Sequence, residues 1–392
     1  MISLEEAINR VLASVKTLEP EAVTLIESLN RVLASDVYAD VDMPPFDKSA
    51  MDGYAIRKED IQNKLEVVEV IPAGAFPLKT IEKNQCAKIM TGAPVPKGAD
   101  CVIKVEETEV LGEASIRFTA KTSNNNICYQ SEDVTKGDAV VLTGTCILPR
   151  HIALLASLGC TNPLVSKLPR VIVFSTGDEL VEPNETPKAS QIRNSNSYQI
   201  ISQLQQMGIK AINGGIIRDN VEVSRNTISN GIADNDIIIL SGGVSMGDFD
   251  FIPSVLEDIG FNQIFDSIAI QPGKPTTFWK MDSTWCFGLP GNPVSSLVQT
   301  ELLVKPFILK LMGCTSPLPP TFQMPLLKDF TIRKRERKSL IPISIDENGR
   351  IVPVEYHGSA HIAALLQAQG LMMVSENTTF IPKESLVNVR LI

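Results

Sequence analysis

The stretch Arg170-Val-Ile-Val-Phe-Ser-Thr-Gly-Asp-Glu179 decides the fold. A short run of apolar residues ends in a polar turn with one glycine and two acids. Apolar character without alternation suits a strand covered on both faces, the pattern of a parallel sheet. A helical segment, Asn196 to Met207, follows. The theme then repeats. Lys210-Ala-Ile-Asn213 precedes a helical segment from Val221 to Ile232, and Asp236-Ile-Ile-Ile-Leu240 precedes Pro253 to Ile259. Trp285-Cys-Phe-Gly288 precedes Pro293 to Met312. Strands alternating with helices over residues 169–317 predict an α/β domain built on a central parallel sheet.

Outward from this domain the pattern changes on both sides. Residues 318–392 return to strand patterns, including Leu340-Ile-Pro-Ile-Ser-Ile345 and Leu386-Val-Asn-Val-Arg-Leu391, and predict a small β-barrel-like C-terminal domain. Residues 53–140 predict a β-rich inserted domain, with strands at Lys64–Ile71, Ala87–Met90, Asp100–Val105 and Ser115–Thr119 punctuated by Gly and Pro. Residues 1–52 and 141–168 predict an N-terminal helical and linker domain. Its helical patterns are 4–18, 20–34 and Pro149 to Leu158, the first opened by the capping-box pattern Ser3-Leu-Glu-Glu6. The chain thus reads as a multidomain α/β plus β protein.

Composition narrows the function. The 392 residues are 44% hydrophobic and 21% charged, with a net charge of −9. An acidic chain disfavours nucleic acid as the main partner. No apolar run is long enough for a membrane span, and the acids at positions 5 and 6 disfavour a signal peptide, so a cytoplasmic location is expected. The seven cysteines are scattered without a C-x-x-C pair and predict buried reduced thiols. His357 and His361 stand four apart, too few ligands for a metal and more simply surface residues.

In an open α/β sheet, ligands bind beyond the carboxyl ends of the strands. The unusual loops fall there. Asp178, Glu179, Asp219, Asp248 and Asp250 would crowd one rim, where like charges repel. A hard cation relieves that repulsion, and magnesium suits oxygen ligands with substrate phosphate. The simpler alternative is that these acids cap the following helices. Ser241-Gly242-Gly243 and Pro290-Gly291-Asn292-Pro-Val-Ser295-Ser296 read as anion-binding loops, with Lys274 as counter-charge. Neither a P-loop nor a Rossmann fingerprint is present.

A second stretch, Met43-Pro-Pro-Phe-Asp-Lys-Ser-Ala-Met-Asp-Gly-Tyr-Ala-Ile56, carries the sharper signal. Two prolines stiffen it, and Gly53 after Asp52 lets the backbone pass close to a neighbour. The stretch resembles the N-terminal signature of the molybdopterin molybdenumtransferases, the MoeA and gephyrin E-domain family. Ile89-Met-Thr-Gly-Ala-Pro-Val-Pro96, Glu132-Asp-Val-Thr-Lys-Gly137, Ser175–Leu180, Ser241–Asp248, Pro272-Gly-Lys-Pro275 and Gly288–Ser295 are similar to further blocks of that family, in family order.

The resemblance implies a molybdopterin-binding-like central domain and a reaction. Molybdate is inserted into adenylylated molybdopterin, magnesium assists, and AMP is released. It implies catalytic roles for Asp52, Asp133, Glu179, Asp219 and Asp250, with Asp219, Asp248 and Asp250 toward the metal. Substrate contacts are implied at Thr91, Ser241, Gly242, Gly243, Ser245, Lys274, Pro290, Gly291, Asn292, Ser295, Arg337 and Ser359. Gln271 stands where many relatives carry a lysine, and Glu336-Arg-Lys-Ser-Leu-Ile-Pro342 fits the family's C-terminal basic pattern loosely. For Arg337 an exposed basic strand edge is the competing reading.

The alternatives are the adenylyltransferase that precedes this step and a non-enzymatic scaffold of the gephyrin type. The resemblance also implies an elongated homodimer, with Asp52 of one subunit serving the other's rim. The adenylyltransferase and molybdoenzyme acceptors are the further partners it suggests. Leu4, Ala7, Ile8, Val11, Leu12 and Val15 at helical spacing offer an apolar face for subunit contacts.

Overall fold

The α/β pattern folds as a six-stranded sheet. In this computed structural model, which describes residues 1–244, 251–333, 336–355 and 358–392, the domain begins with Val171–Thr176 (β1), Asn196–Gln205 (α1) and Ile212–Ile217 (β2). Val221–Asp234 (α2), Ile237–Ser241 (β3) and Ile252–Ile259 (α3) follow. Asn262–Phe265 (β4), Thr277–Met281 (β5), Thr284–Leu289 (β6) and Pro293–Gln299 (α4) complete it. The strand order is β2-β1-β3-β6-β5-β4. β2, β1, β3 and β6 run parallel, whereas β5 is antiparallel to both its neighbours. Every residue of β3 and β6 is buried.

Two apolar clusters explain this burial. Val173, Ile239, Phe287 and Phe307 pack on one face of the sheet, and Phe174, Ile238, Leu256 and Trp279 on the other. α3 closes on Gly260, whose φ of +109° lets its N–H reach the carbonyls of Leu256 and Glu257.

The chain forms two units. One comprises Met1–Ser35, Thr143–Ile152 and Asn162–Ile392, the other Asp36–Leu142 and Ala153–Thr161. In the first, the C-terminal strands form their own sheet. Lys338–Ile345, Gly370–Val374, Leu386–Leu391 and Phe322–Pro325 pair in that order around Ile343, Ile351, Met372 and Val389. Ile270–Gln271 joins the edge of this sheet, parallel to Lys338–Ser339, and so links it to the α/β domain.

The helix Leu4–Ala13 opens as the capping pattern predicts. The Ser3 hydroxyl accepts the N–H of Glu6 at 3.1 Å. Glu6 turns its own carboxylate to Arg10 at 2.7 Å. Leu4, Ala7 and Val11 are buried in the unit's main core, with Ile8 and Val15 packed against it. Half of the stripe read as a subunit contact is therefore buried inside the chain, and Ile8, Leu12 and Val15 keep part of their surface exposed.

The helix expected over 20–34 is not formed. Pro20–Ala22 pairs antiparallel with Leu164–Ser166, and Asn30 sits at φ +64°. A distant strand partner overrides the local helical spacing. The second strand of the α/β sheet also extends further than expected, through Gly214 and Gly215 to Ile217, so its loop begins at Arg218.

The second unit holds another six-stranded sheet. Its order is Cys101–Lys104, Gly53–Ile56, Gln85–Ile89, Lys64–Ile71, Ser115–Phe118 and Thr108–Val110. Gly53–Ile56 is a fully buried central strand. A Cβ on Gly53 would stand 1.9 Å from the Ile103 carbonyl oxygen, the close backbone passage that the sequence suggests. All seven cysteines are unpaired, and burial pushes the Cys86 thiol up to about 12. Among the described residues no helix is long and apolar enough to cross a membrane.

Candidate active site on the strand ends

β1, β3 and β6 deliver their carboxyl ends to one cavity of about 680 Å³. Glu179 and Asp219 line it, with Ser241, Gly242 and Gly243 from the loop after β3. Pro290, Gly291 and Asn292 line it from the loop after β6.

The glycines are required by geometry. Gly242 and Gly243 have φ of +98° and +64°, and a Cβ on either would meet Thr176 within 2.9 Å. The Gly242 N–H donates to the Leu289 carbonyl at 3.0 Å, which ties the two loops together.

The acidic side of the cavity is ordered by the acids themselves. The Asp178 N–H donates to Asp219 Oδ2, and the Asp219 N–H to Asp178 Oδ1, both at 3.2 Å. Neither Asp178 nor Asp219 caps the helix that follows it. Ser195 stands at the N-cap of α1, and Asn220 caps α2, accepting the Val223 N–H at 3.0 Å. Arg218 donates to the carbonyls of Gly177, Asp178 and Leu180, which places one cation within the acidic loops. The sequence reading passed over this residue.

It also passed over a buried polar layer beneath the loops. Asn196 Nδ2 donates to Ser241 Oγ at 2.8 Å and to the Gly291 carbonyl at 2.7 Å. Ser175 Oγ donates to Asn194 Oδ1 at 2.8 Å. The run Asn194-Ser-Asn-Ser197 at a helix start was the available signal, since such residues favour backbone and loop contacts.

A second cavity of about 490 Å³ adjoins the first and shares Pro275, Pro290 and Asn292 with it. Lys274, Ser295, Arg337 and Ser359 line it. The C-terminal sheet supplies its basic side. Arg337 Nη1 donates to the Ile270 carbonyl at 3.2 Å, which holds it beside the Gln271–Lys274 loop. Asn292 Nδ2 donates to Ser359 Oγ at 2.8 Å, and the Val294 N–H to the Ser359 carbonyl at 3.1 Å. Gln299, fully buried, sits close under Gly273, where a Cβ would meet its Nε2 at 2.1 Å.

Asp52, Thr91 and Asp133 lie in the second unit. Asp52 Oδ1 accepts both the N–H and the hydroxyl of Thr91 at 2.7 Å. The N–H first, and then the hydroxyl, hold its carboxyl below the usual carboxylate range. Asp133 lines a separate cavity of about 650 Å³, with Asp42, Met43, Pro44 and Lys48. Ser245, Asp248 and Asp250 lie outside the described residues, as does His357. Among the described residues no three metal-ligating side chains cluster.

Comparison with known proteins fits this arrangement. Residues 2–159 match the MoeA N-terminal region (domain I and II), and residues 172–310 the probable molybdopterin binding domain. A molybdopterin molybdenumtransferase of Staphylococcus epidermidis is 35% identical over 99% of this chain and 95% of its own length. The chain belongs to the molybdopterin molybdenumtransferase family. Another of these enzymes, from Staphylococcus aureus, is 33% identical over 95% of this chain and 91% of its own. The solved molybdopterin biosynthesis moeA protein of Pyrococcus horikoshii OT3 superposes over the whole of both chains, with a TM-score of 0.82 and 27% identity.

Proposed function

We propose that this chain is a molybdopterin molybdenumtransferase that inserts molybdate into adenylylated molybdopterin and releases AMP. One observation carries the reading. An acid- and glycine-lined cavity opens beside a cavity lined by Lys274, Arg337, Ser295 and Ser359. The first suits the nucleotide and its pyrophosphate, because loops without a side chain at Gly242, Gly243 and Gly291 leave room for an anion against the backbone. The second suits a tetrahedral oxyanion, because two cations and two hydroxyls there face a chain of net charge −9. Shared walls bring the two ligands side by side.

Magnesium is the cation assigned to the acidic side. Asp178 and Asp219 each use one carboxylate oxygen on the other's N–H, which among the described residues leaves the second oxygen of each as a hard donor. Asp219 with Asp248 and Asp250 would hold the ion, and the bound ion supplies positive charge to the pyrophosphate. Glu179, on the same wall, orients the attacking oxygen, and Asp52 and Asp133 act from the second unit. A homodimer working in the cytoplasm, where unpaired cysteines stay reduced, completes the reading.

The test is AMP release from adenylylated molybdopterin, with and without molybdate and magnesium. Release that needs both is the expected result, and ATP alone is left untouched. Lys274→Ala should raise the half-saturating molybdate concentration about tenfold or more, the cost of one lost charged hydrogen bond. Turnover of ATP alone, or no release from the adenylylated pterin, would sink the proposal.

A further inference from the structure

Gln299 closes α4 with its side chain wholly buried, and that side chain meets the loop that carries Lys274. A buried amide is costly unless it is hydrogen-bonded. Its Nε2 donates to the Pro272 carbonyl at 3.5 Å and to that of Gly273 at 3.4 Å. Its Oε1 has no partner among the described residues. The reverse orientation would set that oxygen against two carbonyl oxygens, so the amide has one way to stand. Gly273, at φ +108°, admits the close approach, since a Cβ there would meet Nε2 at 2.1 Å.

The rest of the loop is held as firmly. The Gly273 carbonyl also accepts the Thr276 hydroxyl at 2.8 Å. The Lys274 carbonyl accepts the N–H groups of Ile268 at 3.0 Å and Thr276 at 2.9 Å. Lys274 itself is exposed and lines the basic cavity. Ser295 lines the same cavity and stands four residues before Gln299 in α4, hence on the same helix face, one turn away. One side chain thus joins the helix that carries Ser295 to the loop that carries Lys274.

The span between those two contacts has a chemical use. Molybdate and sulfate are both tetrahedral dianions with four acceptor oxygens, so charge does not separate them. Molybdate is the larger, and a fixed span between a cation and a hydroxyl tells the two apart. Specificity of this kind is a difference of two affinities. Resting on the proposed molybdate insertion, we infer that Gln299 is a positioning residue. It sets the span between Lys274 and Ser295, and so makes the basic cavity prefer molybdate to sulfate.

The experiment compares wild type with two variants. Gln299→Met keeps the bulk and removes the donor, and Gln299→Asn keeps the amide on an arm one methylene too short. Binding of molybdate and of sulfate is measured by titration calorimetry. The half-saturating concentrations of molybdate and of adenylylated molybdopterin are measured by AMP release, and stability by the thermal midpoint. In both variants molybdate should bind about two- to tenfold more weakly, the range of one lost hydrogen bond. Sulfate should change less, so the ratio of the two affinities falls. The half-saturating adenylylated pterin, and kcat at saturating molybdate, should stay at their wild-type values. Gln299→Met should also keep its thermal midpoint, because the unpartnered Oε1 leaves with the donor. An unchanged affinity ratio in a folded variant would overturn the inference. So would equal weakening of molybdate, sulfate and pterin with a lower midpoint, which makes Gln299 a support of the fold alone. Should Gln299→Met fail to fold, Gln299→Asn decides by the same ratio. If the wild type binds both oxyanions but releases no AMP, the proposed function falls by itself, and the ratio still decides the role of Gln299. A wild type with no preference for molybdate over sulfate would overturn the inference directly.

Discussion

Thr176 ends β1 with its hydroxyl buried and, among the described residues, without a hydrogen-bond partner, in the wall of the acidic cavity. A buried orphan hydroxyl costs about 1–3 kcal/mol, and such costs gather at functional sites. Thr176→Val keeps the shape and removes the orphan. Its thermal midpoint should rise, by an amount equal to about 1 kcal/mol, while AMP release slows. A lower midpoint would show that the hydroxyl has a partner in solution. The sequence displayed the acids and glycines of the rim, because those residue types are scarce at strand ends without a reason. It did not display Thr176, Asn196 or Arg218, whose types are unremarkable and whose roles arise only when distant loops meet. Arg337 shows the same limit from the other side. Its basic run reads equally as a solvated edge, and only the pairing of Lys338–Ser339 with Ile270–Gln271 carries it to Lys274.

Among elements, the strand Gly53–Ile56 is the most demanding. It lies between Gln85–Ile89 and Cys101–Lys104, and the backbone passes Ile103 too closely for any side chain at position 53. Gly53→Ala should cost the sheet about 3 kcal/mol, the upper end for overpacking. Hydrogen exchange reads this locally. Amides of Gln85–Ile89 and Cys101–Lys104 should lose protection while those of β3 and β6 keep theirs. Equal protection in both sheets, as in wild type, would mean that the strand shifts at no cost. Strong apolar runs such as β1 and β3 were legible because burial on both faces leaves no other pattern. β4 and β5 were not. They are short, and β5 is half of a hairpin with β6 that turns at Asp282, φ +46°, where the sequence offers Met-Asp-Ser-Thr rather than a glycine turn. The segment 20–34 misled because its helical spacing is real but its partner, Leu164–Ser166, is remote.

For the whole molecule the question is how many chains a working site needs. The implied residues divide between the two units. Glu179, Asp219, Lys274 and Ser359 are in one, and Asp52, Thr91 and Asp133 in the other. Half of the N-terminal apolar stripe, Leu4, Ala7 and Val11, is buried in its own core and is not open to a partner subunit. A shared site would itself be a reason for a symmetric dimer to persist. The test mixes Asp52→Ala chains with Asp219→Asn chains, each inactive alone, and allows subunits to exchange. If each site draws Asp52 from one copy and Asp219 from the other, half of the randomly paired dimers are mixed. Each of these carries one intact site, and activity should return to roughly a quarter of wild type. Dimers that regain nothing would confine each site to one chain. Light scattering that finds only monomer at micromolar concentration would remove the dimer, and the shared site with it.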